Sequence, residues 1–97
     1  DVNAGMLFDF RVSRQVAMWM KNTPISLDMV FLDCAGRVLN VATGTEPYSL
    51  APISSAGPAL AVLEIVAGTA ERLGIDRNSM VRHRIFEPSV KTCPAAG

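Results

Sequence analysis

The sequence predicts an α+β domain: a mainly antiparallel sheet curled toward a small barrel, with one short helix. Three observations predict it. Several short runs alternate side chains with the period of two that marks strands. One segment near residue 70 carries helix punctuation. The turn residues between runs sit at hairpin spacing, which suits antiparallel neighbours.

The elements follow in chain order. GMLFDF alternates, with Met6, Phe8 and Phe10 on one face and Leu7 and Asp9 on the other. QVAMWM sets Val16, Met18 and Met20 opposite Ala17 and Trp19, and Ser13 and Arg14 between the runs suit a hairpin. DMVFLD, CAGR and RVLNVAT predict a second hairpin over residues 28–43, where Gly36 supplies the positive φ of a tight turn. Residues 44–58 hold two Gly, three Pro and four Ser or Thr and form the longest irregular stretch. ALAVLEIV is a strand. AGTAERLGI is a short helix, with Gly68 as N-cap, Glu71 in a capping-box position and Gly74 as a left-handed stop backed by Ile75. SMVRHRIF predicts a last strand and EPSVKTCPAAG a tail, so residues 1–86 form one domain and 87–97 lie outside it.

Ninety-seven residues suit one domain. At 49% apolar and 19% charged, the composition is that of a compact fold rather than a disordered chain. Nine basic and nine acidic residues give no net charge and are evenly spread, so the basic footprint of a nucleic-acid binder is missing. The cluster Arg82, His83, Arg84 fits a solvated strand face. No apolar run approaches a membrane span, which argues against membrane insertion. The chain opens abruptly, with a strand-like run close behind Asp1, as the interior of a domain or a trimmed mature chain would.

GMLFDF, MWMKNTPISLDMVFLD with Gly36, and VLEIVAGTAERLGI resemble the DUF192 (UPF0127) family, small prokaryotic proteins of undefined function. The resemblance runs from about Gly5 to Val81. It implies an N-terminal strand that this sequence lacks, a periplasmic or secreted setting, and no reaction. Three features depart from the family pattern: Cys34 in a turn, DRNSM after the helix, and the tail bearing Cys93.

GxGxxG, Walker, GxSxG and HExxH patterns are absent, and His83 is the single histidine, so a Ser-His-Asp triad is not expected and a multi-histidine metal site would need groups from a partner. No metal or cofactor is implied, and the five Met residues are read as adaptable core. The candidate ligand-binding residues are Trp19, Lys21, Asn22, Asp28 and Glu64. As strand residues, Lys21 and Thr23 would face one way and Asn22 the other, and a turn there lets all three converge on a ligand. Trp19 can stack on a sugar or planar group. Glu64 sits mid-strand, where a carboxylate needs a partner, and Lys21 is the candidate. The plainer alternative is that Asn22 and Thr23 only bond the turn before Pro24, while Glu64 faces water or makes a structural ion pair.

Three functional readings follow. The leading one is a small exported accessory or binding domain whose polar cleft, walled by the 44–58 loop, takes a small hydroxylated or anionic ligand. The second is a hydrolase or lyase using Asp28 and Glu64 as an acid–base pair, with Lys21 for electrostatic stabilisation. The third is a structural domain completed by a partner strand, with homodimerisation through an exposed edge. The binding reading is preferred over the enzymatic one. In an exported setting the even cysteine count favours a Cys34–Cys93 disulfide, against two free thiols in a reducing cytoplasm.

Overall fold

The computed structural model describes residues 5–86 and 93–94. Strands β1 (Gly5–Arg14), β3 (Leu27–Leu32), β4 (Val38–Ala42) and β6 (Ala59–Val66) form one antiparallel sheet in the order β1-β6-β3-β4. Strands β2 (Ala17–Met18) and β5 (Ile53–Ser54) pair as a separate two-stranded ribbon. Helix α1 (Thr69–Leu73) follows β6, and a 3-10 turn spans Arg84–Phe86. The antiparallel sheet and, among the described residues, the one short α-helix are as the sequence predicts. Neither sheet closes on itself, so the expected curl into a barrel is not confirmed.

The central strands β3 and β6 read as nearly continuous apolar runs because both faces of the sheet are covered. On one face Val30, Leu32, Ala61 and Ile65 pack with Ala70 of α1, Cys34 and Phe86. On the other, Met29, Phe31 and Val62 pack with Val16, Met20 and, from the β2–β5 ribbon, Met18 and Ile53. Phe10 joins this second cluster and Leu7 the first, in keeping with the alternation of GMLFDF.

Two predicted pairings differ. β1 does not return as a hairpin onto QVAMWM: only Ala17 and Met18 are strand, and they pair with Ser54 and Ile53. Ser55 explains the choice, since its Oγ accepts the Val16 N–H (3.0 Å) and its N–H reaches the Val16 carbonyl (2.9 Å). SMVRHRIF is not a strand. It contributes one bridge, Met80 with Arg37, and then turns, burying Phe86 and leaving Arg82, His83 and Arg84 exposed. The predicted β3–β4 hairpin is present, with Gly36 at φ 85°. A side chain at Gly36 would collide with the Val81 carbonyl and the Phe86 ring, so this glycine both turns the chain and admits the returning segment.

Glycines flank the helix as expected, but the predicted capping box with Glu71 does not form, because the Gly68 N–H goes to Asp28 Oδ2 (3.0 Å) instead. Gly68 and Gly74 are both left-handed, and the Ile75 N–H closes back on the Ala70 carbonyl at 2.8 Å. A glycine N-cap offers no side-chain acceptor, and none is used. Cys34 and Cys93 are bonded, with Cα atoms 5.6 Å apart. The rest of the predicted tail, apart from Pro94, lies outside the described residues.

Candidate functional site

Lys21 and Asn22 occupy the centre of a tight turn rather than a strand. The Thr23 N–H closes on the Met20 carbonyl at 3.0 Å, and Asn22 takes φ 123°, the positive value that a type II turn demands at its third position. Asparagine tolerates that region, which is the local reason for Asn22. A second turn lies against the first. The Ser49 N–H bonds the Glu46 carbonyl (3.2 Å), Pro47 presets the second position, and Tyr48 holds φ 62° at the third.

The two turns interlock through backbone bonds from Met20 N–H to Ser49 O (3.1 Å) and from Tyr48 N–H to Thr23 O (3.0 Å). Thr45 anchors the same loop to β3. Its N–H reaches the Leu27 carbonyl and its Oγ1 accepts the Leu27 N–H. On this fixed corner Trp19 is 55% and Tyr48 63% exposed, beside exposed Lys21, Asn22 and Leu50. The Lys21 ammonium lies 5.2 Å from the centroid of the Trp19 ring, a cation–π contact. Tyr48 was not singled out from the sequence. The signal was present in Pro47, which marks the second position of a turn.

Asp28 is fully buried, on the same face of the sheet as Ile65. Its Oδ1 accepts the Gly44 N–H (2.9 Å), and its Oδ2 accepts the Gly68 and Ala70 N–H groups (3.0 Å each). One carboxylate thus ties the loop after β4 and the start of α1 to the middle of the sheet. A cavity of about 270 Å³ lies there, lined by Asp28, Thr43, Gly44, Gly68 and Glu71.

Glu64 pairs with Met29 across the sheet, one row from Asp28, so strand alternation points the two carboxylates to opposite faces. Glu64 borders a different cavity of about 270 Å³, with Met6, Ile25, Leu27 and Val66. Burial raises its pKa above the ordinary glutamate range. Among the described residues no ion pair joins it to Lys21, whose recorded contact is with Trp19.

The structure therefore brings Trp19, Lys21 and Asn22 together, sets Asp28 apart as an internal anchor, and puts Glu64 behind another face. An acid–base pair of Asp28 and Glu64 shares no common space for a substrate. Among the described residues no three His, Cys, Asp or Glu side chains cluster as metal ligands.

Fold and sites together define a small antiparallel α+β scaffold whose loops are fixed by backbone hydrogen bonds. The chain belongs to the DUF192 family, described as "Uncharacterized ACR, COG1430", which matches residues 1–83. Two crystal structures are similar. One, from Sinorhizobium meliloti 1021 and provisionally described as a transcription regulator, is 45% identical with a TM-score of 0.76, over 78% of this chain and 59% of that one. The other, a protein of unknown function from Novosphingobium aromaticivorans DSM 12444, is 43% identical with a TM-score of 0.78, over 81% of this chain and 56% of that one. The chain thus spans less than two thirds of either relative. No curated protein matches it.

Proposed function

We propose that this protein is a small exported binding domain, and that its ligand face is the corner built from the two interlocked turns, with Trp19, Lys21, Asn22 and Tyr48 as contacts. The observation that carries this reading is Tyr48. A tyrosine in the left-handed region costs about 1–2 kcal/mol relative to an unstrained backbone, and here the side chain stays mostly exposed. Strain that the core does not need is suited to presenting a side chain outward. Two exposed aromatic rings with an ammonium and an amide on the same corner fit a hydroxylated or anionic small molecule: rings stack on sugar C–H faces, while Lys21 and Asn22 bond oxygens. The cation–π contact pre-organises Lys21 and Trp19.

The Cys34–Cys93 bond supports a periplasmic or secreted setting. The even charge balance weighs against DNA reading by this chain, whatever the role of the S. meliloti relative.

A thermal-shift screen of mono- and oligosaccharides and small carboxylates tests the reading. Ligands that raise Tm should lose at least about tenfold in affinity with Trp19→Ala, Lys21→Ala or Tyr48→Asn. Tyr48→Asn should leave the unliganded Tm unchanged or higher, because asparagine accepts the left-handed backbone. Ligands that bind all three variants as tightly as the native protein would rule the corner out.

One further observation favours a second reading, self-association through β1. Among the described residues β1 pairs only with β6, leaving a ten-residue edge open. Light scattering of a clean monomer at high protein concentration would remove it.

A further inference from the structure

A third cavity is not at the predicted residues. It measures about 440 Å³ and is lined by Asp9, Arg11, Ser13, Cys34, Leu60 and Ile85. It exists because β1 breaks register with β6. Asp9 pairs with Ala61 and Arg14 with Ala59, so the chain takes five steps along β1 against two along β6. The surplus residues interrupt the β1–β6 ladder, and Leu60 lies beside the space at the break. Arg11 pivots this bulge in the left-handed region (φ 70°), held by its own N–H bonding Asp9 Oδ1 at 2.8 Å. Bulges of this kind re-aim side chains and gather beside binding sites. An arginine under such strain again marks a position kept for its side chain.

The lining is divided. Asp9, Arg11 and Ser13 supply a carboxylate, a guanidinium and a hydroxyl. Leu60, Ile85 and Cys34, which is disulfide-bonded, supply the apolar part of the lining. Asp9 Oδ2 accepts no hydrogen bond from any described residue, and no described carboxylate pairs with the Arg11 guanidinium. A volume of this size falls in the range of small-molecule sites, and neither 270 Å³ cavity reaches it.

The geometry points to a second binding site, separate from the turn corner, for a small zwitterion with an apolar body: a free aliphatic or aromatic α-amino acid. Arg11 takes the α-carboxylate in a forked pair, Asp9 Oδ2 takes the α-ammonium, Ser13 supports either, and the side chain lies on Leu60, Ile85 and the disulfide.

The probes are L-leucine and L-phenylalanine, titrated into the oxidised full chain and followed by amide chemical shifts and calorimetry. Saturable shifts are expected at Asp9, Arg11, Ser13, Leu60 and Ile85. N-acetyl-L-leucine lacks the ammonium and L-leucinamide lacks the carboxylate, so each should bind at least about tenfold more weakly. Arg11→Gly keeps the backbone conformation, relieves its strain and removes the guanidinium. It should hold its Tm and lose at least about tenfold in affinity. Shifts that do not saturate, or that fall elsewhere, would overturn the assignment. So would blocked ligands that bind as well as the free amino acids, a measurement that needs no variant to fold.

Discussion

Asp28 and Glu64 are carboxylates one row apart on adjacent strands, and the sheet treats them oppositely. Asp28 is wholly buried, yet every part of its charge is answered: three backbone N–H groups converge on two oxygens. Glu64 is only half-buried, has no recorded partner among the described residues, and its pKa rises through loss of solvent. What decides the fate of a buried charge here is the supply of donors. On the Asp28 face, a glycine after β4 and the first residues around α1 lack intrahelical or sheet partners and aim their N–H groups inward. The Glu64 face meets methionine, leucine and isoleucine, which offer nothing to a carboxylate.

Substitutions can break this comparison or sharpen it. Asp28→Ala should have the largest effect, about 2–4 kcal/mol from one buried and two part-buried donors left without an acceptor, measured by urea unfolding. Hydrogen exchange should then show early loss of protection at Gly44, Gly68 and Ala70. An unchanged unfolding midpoint would mean that the carboxylate does not hold these elements.

Gly68→Ala should cost less, about 1–2 kcal/mol. Nothing lies within 4 Å of the added methyl group, so the penalty is only the left-handed backbone (φ 92°) that turns the Gly68 N–H onto Asp28. Gly68→Asn, which tolerates that region, should recover most of it.

Glu64→Gln should have the smallest effect and the opposite sign. A folded-state pKa raised above its unfolded value favours the protonated form. The stability linked to this group is therefore full below the ordinary glutamate range and is lost as pH rises through the raised pKa. At neutral pH the variant should be more stable by less than about 1 kcal/mol, given screening at a half-exposed site. At pH 3 the two proteins should coincide. A variant less stable at neutral pH would reveal a partner for the carboxylate.

The central strands, the β3–β4 hairpin and the helix with its two glycines were legible because local pattern and tertiary demand agree there. The β2–β5 ribbon was not. QVAMWM alternates along its whole length, but its partner is chosen by the Ser55 hydroxyl and N–H, which no periodicity reports. The segment 79–86 misleads for a related reason: Val81, Ile85 and Phe86 are spaced to reach the core from an irregular path as well as from a strand. Of the candidate residues, the grouping of Trp19, Lys21 and Asn22 followed from adjacency. The role of Asp28 did not, because its three donors come from 16, 40 and 42 positions away. The bulge at Arg11 was equally hidden, since Ser13 and Arg14 suggest a hairpin turn and no residue of FDFR signals a break in register.

The disulfide sets an order of events in time. Cys34 and Cys93 are separated by 59 positions, and the turn that carries Cys34 also receives the Val81 N–H on the Gly36 carbonyl at 2.7 Å. The two sulfurs are brought close once the local β3–β4 turn exists and the segment after α1 has folded back across it, and that second step follows the slow, non-local pairing of β6 between β1 and β3. Oxidation thus locks a chain that has already found its shape and does little to guide the search. Refolding from the reduced state should pass through molecules whose β3 and β6 amides are protected while both thiols still react with an alkylating agent. Thereafter, unfolding should be slower in the oxidised protein than in the reduced one.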